Sequence, residues 1–494
     1  MELNSVKETG TGTGTAADVL VVGAGPTGLA LGIDLARRGV PALVLERSGE
    51  LFPGSRGKGL QPRSLEVLDD LGVVERVLAC GDHYKNGLVW QDGKPVHEWE
   101  MFERVAPTPH APYGATWMVP QWRTQEILHA RLRELGGSVC FGAEVTGVVQ
   151  DTGGVTALLA DGTTLRASYL VAADGGRSGV RRALGVTMTG ETVDPDPLLV
   201  ADVRLTGLDR EHTHVWRGAD GDSAVVFPMG GTADHFQFVA TCKNGTDRPD
   251  TTPDGVRKAI TLRTHLSAED VHEVMWSSDF RPRAALADRF RDGRVLLAGD
   301  AAHIHSPAGG QGLNTGLQDA YNLGWKLGQV LRHGADASLL DSYEQERLPV
   351  AADVLGMSTH LHRSTISQGN PMSQRSSVVH QLGVGYRGGP LTAETRDGLA
   401  DAALRAGDRA PDAPLADGGR LFDVFRGPHF TVLAIGAEPP AALPEFARAH
   451  REESGGAAHQ AYGDGLFVVR PDGYVGLATD DPRQVGAYLA RFRG

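Results

Sequence analysis

The residues of this chain best placed to do chemistry stand in a glycine-rich turn and in the acid that follows it. The turn Gly23-Ala24-Gly25-Pro26-Thr27-Gly28 has the spacing G-x-G-x-x-G, and Glu46 lies eighteen residues beyond Gly28. Each glycine has its own reason to lack a side chain. Gly23 permits the tight turn, Gly25 lets the backbone approach a pyrophosphate, and Gly28 lets a helix pack close to the strand before it. A carboxylate at Glu46 can accept both hydroxyls of an adenosine ribose, so turn and acid together describe a dinucleotide site. That chemistry needs a strand before the turn and a helix after it, which puts phosphate at a helix N-terminus. Asp18 to Val22 supplies the strand, a helix runs from the turn to about Arg38, and a second strand, Pro41 to Leu45, delivers Glu46.

The rest of the chain bounds what such a site can serve. At 494 residues it exceeds one ordinary core, so two or three domains are expected. A net charge of -13, from 61 acids against 48 bases, argues against a nucleic-acid partner, because nothing would neutralise the phosphate field. Any basic site must be local. No apolar run approaches a membrane span and no secretory leader pattern opens the chain, so a cytoplasmic protein with no membrane partner is expected. Cys80, Cys140 and Cys242 form no C-x-x-C pair, so neither disulfides nor a metal site are expected.

Residues 1–17, with Gly-Thr repeats, read as a disordered leader. A second glycine-rich loop, Gly54 to Gly59, precedes helical spacing at Leu65, Leu68 and Leu71, and a helix is expected from Thr124 to Leu135. Stretches with alternating and aromatic positions, such as Ser223 to Phe227 and His235 to Thr241, read as strands of a separate sheet. The chain therefore alternates between domains, with 18–86, 120–190 and 276–362 in one and 87–119 and 191–275 in the other. From Gly312 a helix carries Leu317, Ala320, Tyr321, Gly324, Leu327, Gly328 and Leu331 on one stripe, which predicts a single buried face. Helical sequence from Ser342 to about His362 leads into the polar stretch Arg363 to Ser377, within an expected helical linker spanning 363–406. The strands Thr431 to Ile435 and Leu466 to Val469 mark a small α/β domain at 407–494.

Two further motifs complete a set. Tyr169-Leu170-Val171-Ala172-Ala173-Asp174-Gly175 ends a buried strand and leads into Arg177, Arg181 and Arg182, and Arg294-Val295-Leu296-Leu297-Ala298-Gly299-Asp300-Ala301-Ala302-His303 does so later. An Asp-Gly pair alone is usually a hairpin turn, and Asp161-Gly162 is read that way. With Gly23 to Gly28, the two motifs resemble the fingerprints of the class A flavoprotein monooxygenases. That family includes para-hydroxybenzoate hydroxylase, phenol hydroxylase and the aromatic polyketide hydroxylases.

The resemblance implies an α/β architecture: a Rossmann-like FAD-binding domain, an interleaved β-sheet substrate domain and a thioredoxin-like C-terminal domain, here without redox cysteines. FAD would be held by Gly23, Gly25, Pro26, Thr27, Gly28, Glu46, Arg47, Arg56, Gln121, Asp174, Asp300, Pro307, Gly310, Gly312, Leu313 and Asn314. Asp300 would accept from the ribityl hydroxyls, and Arg56 and Pro307 are the catalytic candidates, with no acid or base assigned. With one G-x-G-x-x-G in the chain, NADPH or NADH would bind transiently, aided by Arg56 and the arginines after Asp174. Molecular oxygen would react to a flavin C4a-hydroperoxide that hydroxylates a phenolic or polycyclic polyketide ring, as in antibiotic biosynthesis or aromatic catabolism. Trp117, His214, Trp216, Phe227, His235 and Phe238 are candidates for the aromatic pocket, and His303 and His305 are read as loop residues near flavin. Baeyer-Villiger or epoxidising chemistry and a non-oxygenating flavin reductase stay open, whereas the missing W-x-W-x-I-P segment argues against a halogenase. A monomer or homodimer is expected. The tail follows the complete flavin set, so its deletion from about Gly407 is expected to leave flavin binding intact.

Overall fold

Strands buried on both faces build the central layer of the first domain. In a computed structural model describing residues 17–100, 105–194, 196–218, 222–230, 233–242, 248–307, 309–367, 377–416 and 418–494, the strands Val19–Val22 and Tyr169–Ala172 have every residue buried. This is what a parallel strand covered by layers requires. They pair in parallel with Ala42–Glu46 and Val295–Leu297, and Val139–Phe141 and Arg291–Asp292 form the edges. The helices Pro26–Arg37 and Gly312–Arg332 cross where glycines admit close contact. A Cβ on Gly316 would lie 2.5 Å from Thr27 Oγ1, and one on Gly324 would lie 2.1 Å from Asp34 Oδ2.

The second sheet has seven strands, in the order Val271–Phe280, Leu198–Leu205, His235–Thr241, Ser223–Pro228, His212–Arg217, Asn86–Gln91 and Lys94–Trp99. Alternation gives it two unlike faces. Ala224, Val226, Phe236, Phe238 and Ala240 pack with Val256 and Ile260 of the helix Pro253–Arg263. Phe227, His235 and Gln237 occupy the opposite face, toward the first domain. Val271–Phe280 crosses the 275/276 boundary expected from sequence, so that strand belongs wholly to this sheet.

In the C-terminal domain the strands Phe430–Ile435, Ala447–Glu452, Gly465–Val469 and Val475–Thr479 lie in the order fourth, third, first, second. The first two are parallel and the others antiparallel, a thioredoxin-like arrangement. Ala393–Glu394 adds a parallel edge strand, so the sheet begins before Gly407. Of the linker expected to be helical, 363–367 belong to the helix Asp341–Ser367, and apart from the edge strand Ala393–Glu394 the described remainder is irregular, with one short 3-10 turn, Ser377–His380. The leader up to residue 16 and residues 368–376 of the polar stretch lie outside the described residues. Among the described residues no helix is long and apolar enough to cross a membrane.

The single buried stripe expected for Gly312–Arg332 is replaced by burial nearly all round, from Asn314 to Gln329. The C-terminal domain closes over the other side. Trp325 packs on Phe430 and Phe492, with ring centroids 5.4 and 5.6 Å apart. Beside it Arg470 binds Glu346 through two bonds of 2.6 and 2.9 Å, and Lys326 reaches Glu346 at 2.8 Å. Desolvation pushes the Lys326 ammonium down to about 8, with Glu346 opposing the shift, while Arg470 and Lys326 hold Glu346 below the usual carboxylate range. Removing the C-terminal domain would leave Glu346 without its bidentate Arg470 partner and uncover Trp325. Breaking such a pair from one side costs about 3–5 kcal/mol. Arg470→Leu should lower the urea midpoint by a corresponding amount, and an unchanged midpoint would show that the network does not hold the domains together.

Candidate functional site

The glycine turn separates two kinds of necessity. Gly23 has φ +107° and a Cβ there would lie 2.4 Å from the Ala173 carbonyl oxygen, so the turn presses against the end of a neighbouring strand. A Cβ on Gly28 would lie 2.0 Å from the Gly23 carbonyl oxygen. Around Gly25 nothing stands within 4 Å, leaving open space at the head of the helix. Glu46 closes the turn: its Oε2 accepts from Ala24 N at 2.9 Å and its Oε1 from Ser48 N at 3.0 Å, leaving further lone pairs for a ligand. Thr27, expected at the cofactor, has its hydroxyl lodged against Gly299 and Gly316, in the helix crossing.

The Gly299-Asp300 turn is held from inside by Asp319. This carboxylate accepts from Gly299 N at 3.0 Å, His303 Nε2 at 2.5 Å and Arg347 Nε at 2.7 Å. Asp300 is exposed, and no described residue donates a hydrogen bond to it. Desolvation raises its carboxyl, against the pull of His303 and Arg56. The Arg56 guanidinium is lowered by desolvation and by the charges of Arg177 and Arg47, while Asp300 opposes the shift. Asp174 accepts from Gly179 N at 2.8 Å and Val180 N at 3.2 Å, and its Oδ1 is buried with no partner. Arg181, expected to face a nicotinamide, instead donates to the carbonyls of Ala301 and Gly176, and Arg182 donates to that of Arg177. His305 meets His303 at 2.9 Å, and among the described residues no group of three metal-ligating side chains occurs.

Two loops face each other beside this turn. Asn314 accepts from Gln61 N at 2.8 Å and donates to the carbonyls of Gly59 and Gly310, while Gln61 donates to Gly309 O at 3.0 Å. Gln121 accepts from Gly57 N at 3.0 Å, and Leu313 lies against Gly57. The side chains of Asn314 and Gln121 therefore position backbone, where cofactor contact was expected. At the start of the long helix the N–H groups of Gly312, Leu313 and Asn314 have no intrahelical acceptor, which favours negative charge nearby. Pro307 and Gly310 are exposed at this edge.

Of the aromatic candidates, three face away from this space. Phe238 and Trp216 belong to the core against the helix Pro253–Arg263. Trp216 donates to His265 at 3.2 Å, and buried His214 accepts from Trp90 Nε1 at 3.0 Å while meeting Asp209 O at 2.9 Å. His214 is wholly buried on the face covered by the helix, and desolvation lowers its imidazole below the usual value, as for a core histidine. Trp117 pairs in a small sheet with Leu60 and His83 and packs against the core of the first domain. His235 shares the face of Gln237 but is covered by Trp122, ring centroids 6.0 Å apart, and desolvation lowers it to about 4. Phe227 keeps its place, with Lys58 Nζ 3.8 Å from its ring centroid and Tyr84 edge-on at 6.0 Å. Lys58, Tyr84, Gln237 and Asp202 went unrecognised in the sequence. Gln237 lies opposite both Phe227 and Asp202, a register that no local pattern reveals.

Comparison with known proteins matches residues 16–358 to the family described as FAD binding domain. The chain is 44% identical over 482 residues, 96% of its length and 99% of the relative's, to a flavin-dependent monooxygenase of Mycobacteroides abscessus. It is 36% identical over 501 residues, 93% of its length and 94% of the relative's, to the 12-dehydrotetracycline 5-monooxygenase/anhydrotetracycline 6-monooxygenase of Streptomyces rimosus. Among solved structures, the ternary complex of aklavinone-11 hydroxylase with FAD and aklavinone superposes with a TM-score of 0.80 at 28% identity, covering 97% of this chain and 99% of that one.

The two helix-head glycines should respond differently to a methyl group. Gly28→Ala should lower the stability of ligand-free protein by about 1–3 kcal/mol through overpacking, whereas Gly25→Ala, with open space around it, should stay within about 1 kcal/mol of the wild type. Thermal unfolding of the two variants checks this, and equal losses would contradict the assignment of space at Gly25.

Proposed function

The chain belongs to the FAD-binding-domain family of flavin-dependent aromatic monooxygenases, and on that premise we propose that it hydroxylates a polycyclic phenolic substrate of the polyketide type at the expense of NADPH. FAD is its cofactor. The observations that carry the reading are the open space around Gly25 at the helix head, the exposed carboxylate of Asp300, to which no described residue donates, and the contact of Lys58 with Phe227. Relatives with this architecture act on anhydrotetracycline and aklavinone.

The residues fit the group. An anionic pyrophosphate suits the helix head at Gly25 and the field of Arg47, Arg56 and Arg177 in a chain that is acidic overall. Glu46 would take the ribose, and Asp300, an acceptor with no donor among the described residues, would take the ribityl hydroxyls. Pro307, Gly310 and the N–H groups of Gly312 and Leu313 would border the pyrimidine edge, where the helix N-terminus favours negative charge. When bound, the flavin supplies electron transfer from nicotinamide to oxygen and delivery of one oxygen atom to an electron-rich ring. Phe227 and Tyr84 offer an aromatic wall to a flat substrate, and the Lys58 ammonium favours a ring whose hydroxyl is ionised. The dinucleotide turn serves FAD, so NADPH binds transiently, with Arg56 and Arg177 available to its phosphates. The reading also takes the enzyme to be cytoplasmic, a monomer or homodimer, with no nucleic-acid partner.

Oxygen-18 gas with anhydrotetracycline, aklavinone and simple hydroxyanthraquinones tests the reaction. One labelled hydroxyl on the ring is the expected product. A labelled lactone or epoxide would replace hydroxylation by the Baeyer-Villiger or epoxidising alternative, and NADPH oxidation without label in any product would favour a reductase. The wild type should purify yellow with noncovalent FAD. Asp300→Ala should weaken FAD binding by about 1.5–3 kcal/mol, roughly tenfold or more, because hydrogen bonds to a charged acceptor are lost. Titration of apoprotein with FAD checks it, and unchanged affinity would remove Asp300 from the site.

A further inference from the structure

A fully buried amide and carboxylate on a sheet face cost free energy unless their hydrogen bonds are met. Gln237 and Asp202 lie side by side on the cleft-facing surface of the substrate sheet, 2% and 1% exposed. Gln237 uses its amide across the domain boundary. Its Nε2 donates to the Ser55 carbonyl at 2.6 Å and to Asp202 Oδ1 at 3.1 Å, and its Oε1 accepts from Lys58 Nζ at 2.5 Å. Ser55 and Lys58 flank Arg56. The same loop lies flat on the sheet at its start, since a Cβ on Gly54 would stand 2.1 Å from the Trp276 indole, and Trp276 is the strand neighbour of Asp202 on the other side.

We propose that Gln237, oriented by Asp202, is a positioning residue that clamps the loop Gly54 to Gly59 onto the substrate sheet and thereby sets the place of Arg56 beside Asp300. This rests on the reading that the loop borders the flavin. Asp202 fixes which way the amide points, because a carboxylate oxygen accepts only from the Nε2 end. Phe227 stands directly opposite Gln237 in the neighbouring strand and under the Lys58 ammonium. An aromatic ring resting on Phe227 would therefore touch the clamp, and its presence would reach Arg56 through Lys58 and the short loop.

The loop carries two trypsin sites, Arg56 and Lys58, so its release can be read without a known substrate. Limited trypsinolysis of wild type, Gln237→Leu, Asp202→Asn and Phe238→Leu, the last changing the opposite face of the same strand, is followed by mass spectrometry with and without FAD. Cleavage after Arg56 should be roughly tenfold faster in Gln237→Leu, since local opening governs access. Asp202→Asn can present its own N–H2 to Gln237 and no longer fixes which way the amide points, so cleavage should rise about threefold, and a rate equal to wild type would remove Asp202 from the clamp. Lys58→Met offers the same reading at Arg56 should Gln237→Leu fail to fold. Anaerobic reduction of bound FAD by NADPH, with no aromatic ligand, should change about fivefold or more in Gln237→Leu, as displacement of Arg56 requires. Wild-type cleavage rates in Gln237→Leu, or equal acceleration in Phe238→Leu, would overturn the clamp. Faster cleavage with unchanged reduction would overturn its link to Arg56. A wild type that takes up no FAD would instead overturn the flavin reading, while the cleavage ratios without FAD still judge the clamp.

Discussion

The carboxylate of Asp319 is the point on which the site depends. It lies wholly buried in the long helix Gly312–Arg332, yet it holds the backbone of Gly299, the ring of His303 and the guanidinium of Arg347. These contacts keep it below the usual carboxylate range although burial opposes ionisation. A buried charge is tolerable only when paired and hydrogen-bonded, and here the pairing ties together three segments distant in sequence. Because Asp319 restrains the turn from within, Asp300 is left to the open side. Arg347 carries the connection onward to the hydroxyl of Tyr386, and so toward the C-terminal domain.

The same economy runs through both seams of the molecule. Between the first and last domains, Arg470 and Lys326 share Glu346, and Arg420 and Arg426 both reach Asp69 on the helix that follows the glycine-rich loop. Between the first domain and the substrate sheet, Gln237 answers the loop itself. The loop that carries Arg56 is held by the substrate sheet, and the helix that follows it by the C-terminal domain. A thioredoxin-like domain without cysteines has a physical use here, as the lid over a helix that would otherwise expose Trp325 and as the source of the Arg470 that pairs with Glu346.

Three aromatic candidates lie away from the site for one reason. His214, Trp216 and Phe238 have the composition of a binding pocket, but strand alternation divides a sheet into two faces, and aromatic character does not say which is which. The helix Pro253–Arg263 covers their face, so they became core. Asn314 and Gln121 lie near the expected place, but their amides satisfy loop backbone, since a glycine-rich turn has carbonyls and N–H groups that need partners.

What the sequence by itself determined is local and covalent in range. The strand, turn, helix and acid from Val19 to Glu46, the two later aspartate turns and the position of the long helix follow from spacing, glycine placement and apolar runs, which act over a few residues. Burial on both sides of that helix, the register that sets Gln237 beside Asp202 and Phe227, and the approach of Arg56 to Asp300, with Arg47 and Arg177 near Arg56, were decided only by tertiary structure. Each depends on which surface a distant segment covers. No periodicity within a strand or helix encodes that choice, because it is settled by packing between elements far apart in the chain.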